Sequence, residues 1–153
     1  MTRSDIKYIL KRFRHIKTAI IKGISELTIY VSKRRENIII THEIEVCVEL
    51  IEKIYEVEKG EFFGTIINEI ITGKEDIEII TNNPISRTSY YSLKDDLIWK
   101  ILCCCAVKGL VTTEEILFDE KANQTKEENY ERAGNIVENY FGTENDAIGN
   151  KER

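Results

Sequence analysis

The stretch Ile85–Leu110, ISRTSYYSLKDDLIWKILCCCAVKGL, decides how the chain is read. It follows a polar turn, Asn82-Asn83-Pro84, and Ser86 stands where a helix N-cap belongs. Tyr90, Leu93, Leu97, Ile98, Ile101, Leu102 and Cys105 recur at helical spacing, so an apolar stripe runs toward Lys108. Gly109 then supplies a C-terminal stop. Against this stripe the first two turns carry Arg87, Thr88, Ser89, Tyr91 and Lys94. Neighbouring helix residues diverge by about 100°, so Tyr90 is expected inward and Tyr91 outward. The pattern predicts one long helix whose first turns meet a partner and whose later turns lie in a core. Trp99, the only tryptophan, falls in the later part and reads as a core anchor.

Upstream of this stretch the pattern predicts three more helices. One begins at Thr41 or His42 and runs to Glu58, with Ile44, Cys47, Val48, Ile51 and Ile54 at helical spacing. A second covers Glu61–Thr72 with a wide apolar face, and Gly73 stands where a helix end wants a left-handed residue. A short third covers Lys74–Thr81. Asn82-Asn83-Pro84 stops it, because Asn tolerates a left-handed turn and the residue before Pro disfavours helix.

The N-terminus reads as one long basic helix. Ser4 is its expected cap, with Asp5 in the first turn. Ile6, Ile9, Phe13, Ile16, Ile20, Ile24, Leu27 and Val31 follow at steps of three and four. This is close to a heptad seam and leaves a homodimer contact through this helix open. The other faces carry Lys7, Lys11, Arg12, Arg14, Lys17 and Lys22. They are either a solvated face or a surface for phosphate or an acidic protein. Lys33-Arg34-Arg35-Glu36-Asn37 ends the helix. Ile38-Ile39-Ile40 is read as an extended connector or the start of the next helix, since no partner strand is evident.

At 153 residues the chain fits one domain with extensions. The expected divisions are a basic N-terminal helix over 1–35, a helical domain over 36–111 and an acidic tail over 112–153. The tail has one candidate helix, Lys126–Phe141. Net charge is −5 overall but unevenly spread. Met1–Arg35 holds ten Lys and Arg against two Asp and Glu, Glu36–Val111 seven against fourteen, and Thr112–Arg153 five against eleven. The total therefore does not decide for or against nucleic acid. Apolar runs fall short of the roughly 18 residues of a membrane span, and nothing resembles a signal peptide. The expected place is a bacterial cytoplasm, away from membranes.

Catalytic signals are missing. There is no Gly-rich phosphate loop, no G-x-S-x-G and no H-E-x-x-H. His15 and His42 fit no zinc spacing, and Cys103-Cys104-Cys105 point in different directions on a helix. With Cys47 they read as buried apolar thiols. No enzyme, cofactor or metal is expected. What does stand out is a short helix, a turn and a long helix with a polar start. That order suits a helix-turn-helix, whose last helix enters the major groove by its first residues. There Arg87 can pair with a guanine edge or grip a phosphate, and Lys94 can reach a phosphate. Ser86, Thr88 and Ser89 can bond phosphates.

The segment from Ile44 to Leu102 resembles a sigma-factor region-four-like DNA-binding module. With the basic SDIKYILKRFRHIKTAI before it, the chain resembles phage late-transcription regulators of the ArpU/RinA type. The most specific match is the start ISRTSYY at Ile85–Tyr91. Ile79-Ile80 and Asn82-Asn83-Pro84 depart from that family, which usually has a small residue and a Gly there. The resemblance implies an all-α fold and a sequence-specific DNA-binding regulator, an activator of phage or prophage late genes. It implies double-stranded DNA and RNA polymerase as partners, and Ser86, Arg87, Thr88, Tyr91 and Lys94 as groove-facing residues. Two other readings stand beside it: a DNA-packaging component such as a small terminase subunit, and a helix-turn-helix scaffold acting as a protein-interaction module.

Overall fold

Glycine and the first polar residue decide most element boundaries in this chain. A computed structural model describes residues 1–110 and 133–140. The order is α1 (Arg3–Lys11), α2 (Phe13–Ile21), β1 (Glu26–Val31), β2 (Arg34–Ile39), α3 (His42–Glu58), α4 (Phe62–Ile71), α5 (Asp76–Asn82) and α6 (Arg87–Val107). A last helix, α7, spans 133–140. The described residues are mostly helical, with one two-stranded antiparallel sheet. No helix among them is long and apolar enough to cross a membrane. The rest of the acidic tail, including the outer parts of the expected helix Lys126–Phe141, lies outside the described residues.

The helices from α3 to α6 follow the sequence expectation closely. Thr41 caps α3 by accepting from the Ile44 amide at 3.3 Å. Gly73 is left-handed at φ 93° after α4. The closest approach is between the end of α3 and α4. A Cβ on Gly64 would lie 2.1 Å from the Glu58 carbonyl oxygen, so only glycine fits there. In α6, Leu97, Ile98, Trp99, Ile101, Leu102 and all three cysteines are buried. The later part of α6 is therefore surrounded on all sides by α1, α3 and neighbouring chain. Cys47 on α3 is buried too. Its thiol hydrogen-bonds Cys105, and this contact and burial together push its pKa up, so it stays protonated.

The N-terminal third is different from its sequence reading. The expected single helix is two short helices and a strand. Its cap is Thr2, not Ser4: the Thr2 side chain accepts from the Asp5 amide and Asp5 reaches back, a capping box. The helix breaks at Arg12, whose backbone leaves the helical region at φ −107°, ψ 13°. Arg12 there donates two hydrogen bonds to Glu36, both of 3.1 Å. α2 ends at Gly23, at φ 68°, where the Ile24 amide reaches back to the Ala19 carbonyl at 2.9 Å. That is a glycine stop of the Schellman kind, and a residue with a Cβ is strained in it.

Beyond Gly23 the chain alternates instead of spiralling. Leu27, Ile29 and Val31 face one side of β1, with Glu36 and Ile38 opposite them on β2. The run Ile38–Ile40 thus has the partner strand that was not evident in the sequence. The fold is mostly helical, as expected, with this one small sheet added. The seam that suggested a homodimer is also explained, since Ile6, Ile9, Phe13 and Ile16 are buried within the same chain. Further along that seam, Ile24 is exposed. α7 packs Ala133, Ile136, Val137 and Tyr140 onto the core, and the Tyr140 hydroxyl donates to Glu58 at 2.7 Å.

Candidate nucleic-acid interface

A helix can present its first turn to a partner only if the turn before it is rigid. Here two carboxylates supply the rigidity. Glu69 on α4 accepts from Lys74 at 2.9 Å and from the side-chain amide of Asn83. The same Asn83 amide donates to the Ile79 carbonyl at 2.8 Å, closing the end of α5. Glu69 thereby ties both turns, one on each side of α5. Asn83 itself is extended, at φ −125° and ψ 153°, not left-handed as the sequence suggested. Pro84 is the reason, because its ring excludes helical backbone from the residue before it.

The second carboxylate is Asp76, at the start of α5. It accepts from the buried Tyr90 hydroxyl and from Lys94 at 2.9 and 3.2 Å. Burial pushes the Asp76 carboxyl up, but Tyr90 and Lys94 outweigh that and hold it below its ordinary value. Burial, and then the Asp76 contact, push the Tyr90 hydroxyl up, so it remains a donor. α5 and α6 are thus clasped through Asp76, Tyr90 and Lys94.

Six residues were expected to meet a partner, and the structure divides them. Ser86 is the N-cap of α6: its hydroxyl accepts from the Ser89 amide at 3.1 Å and donates to the Ser89 hydroxyl at 2.9 Å. Arg87, Thr88 and Ser89 are exposed, and Tyr91 is 39% exposed beside the fully buried Tyr90. Arg87 has no ion pair among the described residues. Lys94 is placed otherwise: half-buried and bound to Asp76, it holds the helices together rather than reaching outward.

Two depressions flank the exposed face of α6. A shallow one, lined by Phe62, Pro84, Thr88, Ser89 and Ser92, offers hydroxyls. The other is a groove of about 710 Å³ between α6, the α1–α2 segment and the tip of the hairpin. Tyr91 and Lys94 form one wall, and Lys7, Lys11 and Arg14 line the other. The Arg14 guanidinium lies across the α4–α5 turn, with its carbon 3.5 Å from where a Gly73 side chain would start. Of the basic face foreseen in the sequence, Arg12 is bound to Glu36 and Lys17 to Glu52 at 2.7 Å. Lys7, Lys11 and Arg14 have no ion pair among the described residues. Glu75 and Asp95 also line the groove, Asp95 with Arg3 at 3.6 Å.

The clasp at Asp76, the staple at Glu69 and the hairpin wall were not read from the sequence. Only the hairpin had a usable signal, Gly23 followed by alternating apolar residues. Compared with known proteins, the chain matches no family model, no curated protein and no solved structure. The resemblance to phage regulators gains nothing from these comparisons.

Proposed function

We propose that this chain is a sequence-specific DNA-binding transcriptional regulator. In this reading α4, α5 and α6 act as a sigma region-four-like helix-turn-helix, and the first turns of α6 enter the major groove. The observation that carries it is the start of α6. There an unpaired Arg87, two hydroxyls and Tyr91 project from a helix whose preceding turn is stapled by Asn83 and Glu69. Arg87 reads a guanine edge, Thr88 and Ser89 bond phosphates, and Lys94 positions α6 from behind. Following the resemblance, the sites lie before phage or prophage late genes, and RNA polymerase is the second partner.

The test starts from a random-sequence duplex library, from which the protein selects its site. Arg87→Ala should then bind the selected duplex roughly tenfold to a hundredfold more weakly, about 1–3 kcal/mol, and lose preference at one base pair. Unchanged affinity and preference would remove Arg87 from the reading surface. One observation favours the alternative of a protein-interaction module. Lys94 is occupied by Asp76, which leaves Arg87 as the one outward cation on the first two turns of α6. A duplex titration at low salt separates the two, since a DNA binder weakens steeply as salt rises.

A further inference from the structure

The hairpin carries a charge cluster that its own fold does not use. Its turn has two residues, Ser32 at φ 50° and Lys33 at φ 65°, closed by the pair Val31–Arg34. Left-handed backbone at both positions is the primed turn that matches strand twist. Glycine or asparagine would hold it with less strain than serine and lysine. Lys33, Arg34 and Arg35 are consecutive, exposed and without ion pairs among the described residues. Tyr30 is 75% exposed and stands directly opposite Arg35, so the two share one face.

This tip is held in place from below. Ile29 and Ile38 are buried in the core. Glu36 accepts from the Tyr8 hydroxyl and from Nε and Nη2 of Arg12, which fixes the strands to α1 and its C-terminal cap. The cluster is therefore a rigid projection. It adjoins the groove, because Tyr30, Val31 and Ser32, the residues just before the cations, line it together with Tyr91 on α6 and Lys7, Lys11 and Arg14 on α1–α2.

We propose that the hairpin tip and the Lys7–Lys11–Arg14 face form a second DNA-contacting arm, which grips the phosphate backbone beside the major groove that α6 enters. The inference rests on the DNA-binding reading and adds a division of labour to it. Three unpaired cations, Lys7, Lys11 and Arg14, line a groove whose other side is α6, and three more, Lys33, Arg34 and Arg35, follow Ser32 at its rim. A phosphate strand seated there meets cations on one wall and Tyr91 of α6 on the other. The carboxylates on this side do not close the groove to an anion. Glu36 and Asp76 are neutralised by Arg12 and Lys94, and Asp95 by Arg3, which leaves Glu75. Phosphate contacts hold register and add affinity without reading sequence.

The test uses the selected duplex and a scrambled duplex of equal length, titrated across salt with the full chain. The tip variant Lys33→Ala/Arg34→Ala/Arg35→Ala should weaken both duplexes by a similar factor. It should lower the slope of log affinity against log salt by roughly two to three, about 0.9 per lost phosphate contact. Preference for the selected duplex should stay as in wild type. A second variant, Lys7→Ala/Lys11→Ala, alters exposed positions on α1 rather than on the hairpin and should lower the slope by roughly one to two. Wild-type slopes in both variants would overturn the arm and leave the α6 reading intact. A wild-type protein that binds neither duplex at low salt, but does bind polyglutamate, would overturn both and make the groove a dock for acidic protein.

Discussion

The start of α6 and the tip of the hairpin are both polar projections on a buried stem, and they differ in what holds and what charges them. The α6 start is held by Glu69 and Asp76 and offers hydroxyls, Tyr91 and one unpaired cation. The hairpin tip is held by Glu36 and offers three consecutive cations. Hydroxyls and a single guanidinium suit discrimination, while a dense run of cations suits grip. The stems differ as well. The stem of α6 runs through the middle of the core, whereas that of the hairpin rests on it mainly through Ile29 and Ile38.

The largest effect should come from the α6 stem. Leu97→Ala removes a fully buried side chain, and chemical denaturation should show a loss of about 2–5 kcal/mol. A loss of only a few tenths would mean that α6 is not the central helix of the core. Next comes the clasp. Tyr90→Phe keeps the ring but deletes the donor to Asp76, for a cost of about 1 kcal/mol in the same measurement. DNA binding should fall with it, because Asp76 then keeps only Lys94 as its partner on α6. Retention of full affinity by this variant would show that the clasp is not needed to present Arg87.

The smallest effect belongs to the hairpin and separates charge from packing. Arg12 first, and then Tyr8, hold the Glu36 carboxyl below its ordinary value. A carboxylate depressed on folding adds stability above its unfolded pKa, about 4, and loses it as pH falls through the folded value. Glu36→Gln should therefore melt a little lower than wild type at pH 7. The gap should close as pH falls below the ordinary carboxylate range and through the lowered folded value, where wild-type Glu36 also becomes neutral. A gap of constant size would place the effect of Glu36 in packing.

How far the chain could be read depended on whether one period or two fitted the same residues. From Thr41 to Lys108 the apolar spacing had a single solution, and α3, α4, α5 and α6 fall close to the expected bounds. The inward Tyr90 and outward Tyr91 followed from the same geometry. Leu27 and Val31 are four apart, a step that satisfies both a helix and every second turn of a strand pattern. Extending the helical seam through them hid β1, and without β1 the run Ile38–Ile40 had no partner. Gly23 was the available stop signal. Ser32-Lys33 masked the turn, since primed hairpin turns are ordinarily marked by Asn-Gly or Asp-Gly.

The candidate site was legible only along one helix. Ser86, Arg87, Thr88, Ser89 and Tyr91 could be assigned to an exposed helix start because capping and the 100° step are local rules. Lys94 lies on the same side but binds Asp76, a residue eighteen positions earlier. Its neighbour in space is set by how α5 packs, which no spacing rule within α6 encodes.

By itself, then, the sequence determined the helical segments from Thr41 to Lys108, the Ser86 cap, the burial of Trp99 and the cysteines, and the uneven charge. Each of these follows from interactions between residues a few positions apart or from the cost of exposing apolar surface. Tertiary structure alone decided that the basic N-terminal segment folds back as two helices and a hairpin. It decided which cations keep their charge for a partner, since Glu36, Glu52 and Asp76 neutralise Arg12, Lys17 and Lys94 across long stretches of chain. It also brought Lys7, Lys11 and Arg14 to the groove beside Tyr91. Pairing between charges distant in sequence depends on three-dimensional proximity, because Coulomb attraction acts through space and not along the chain.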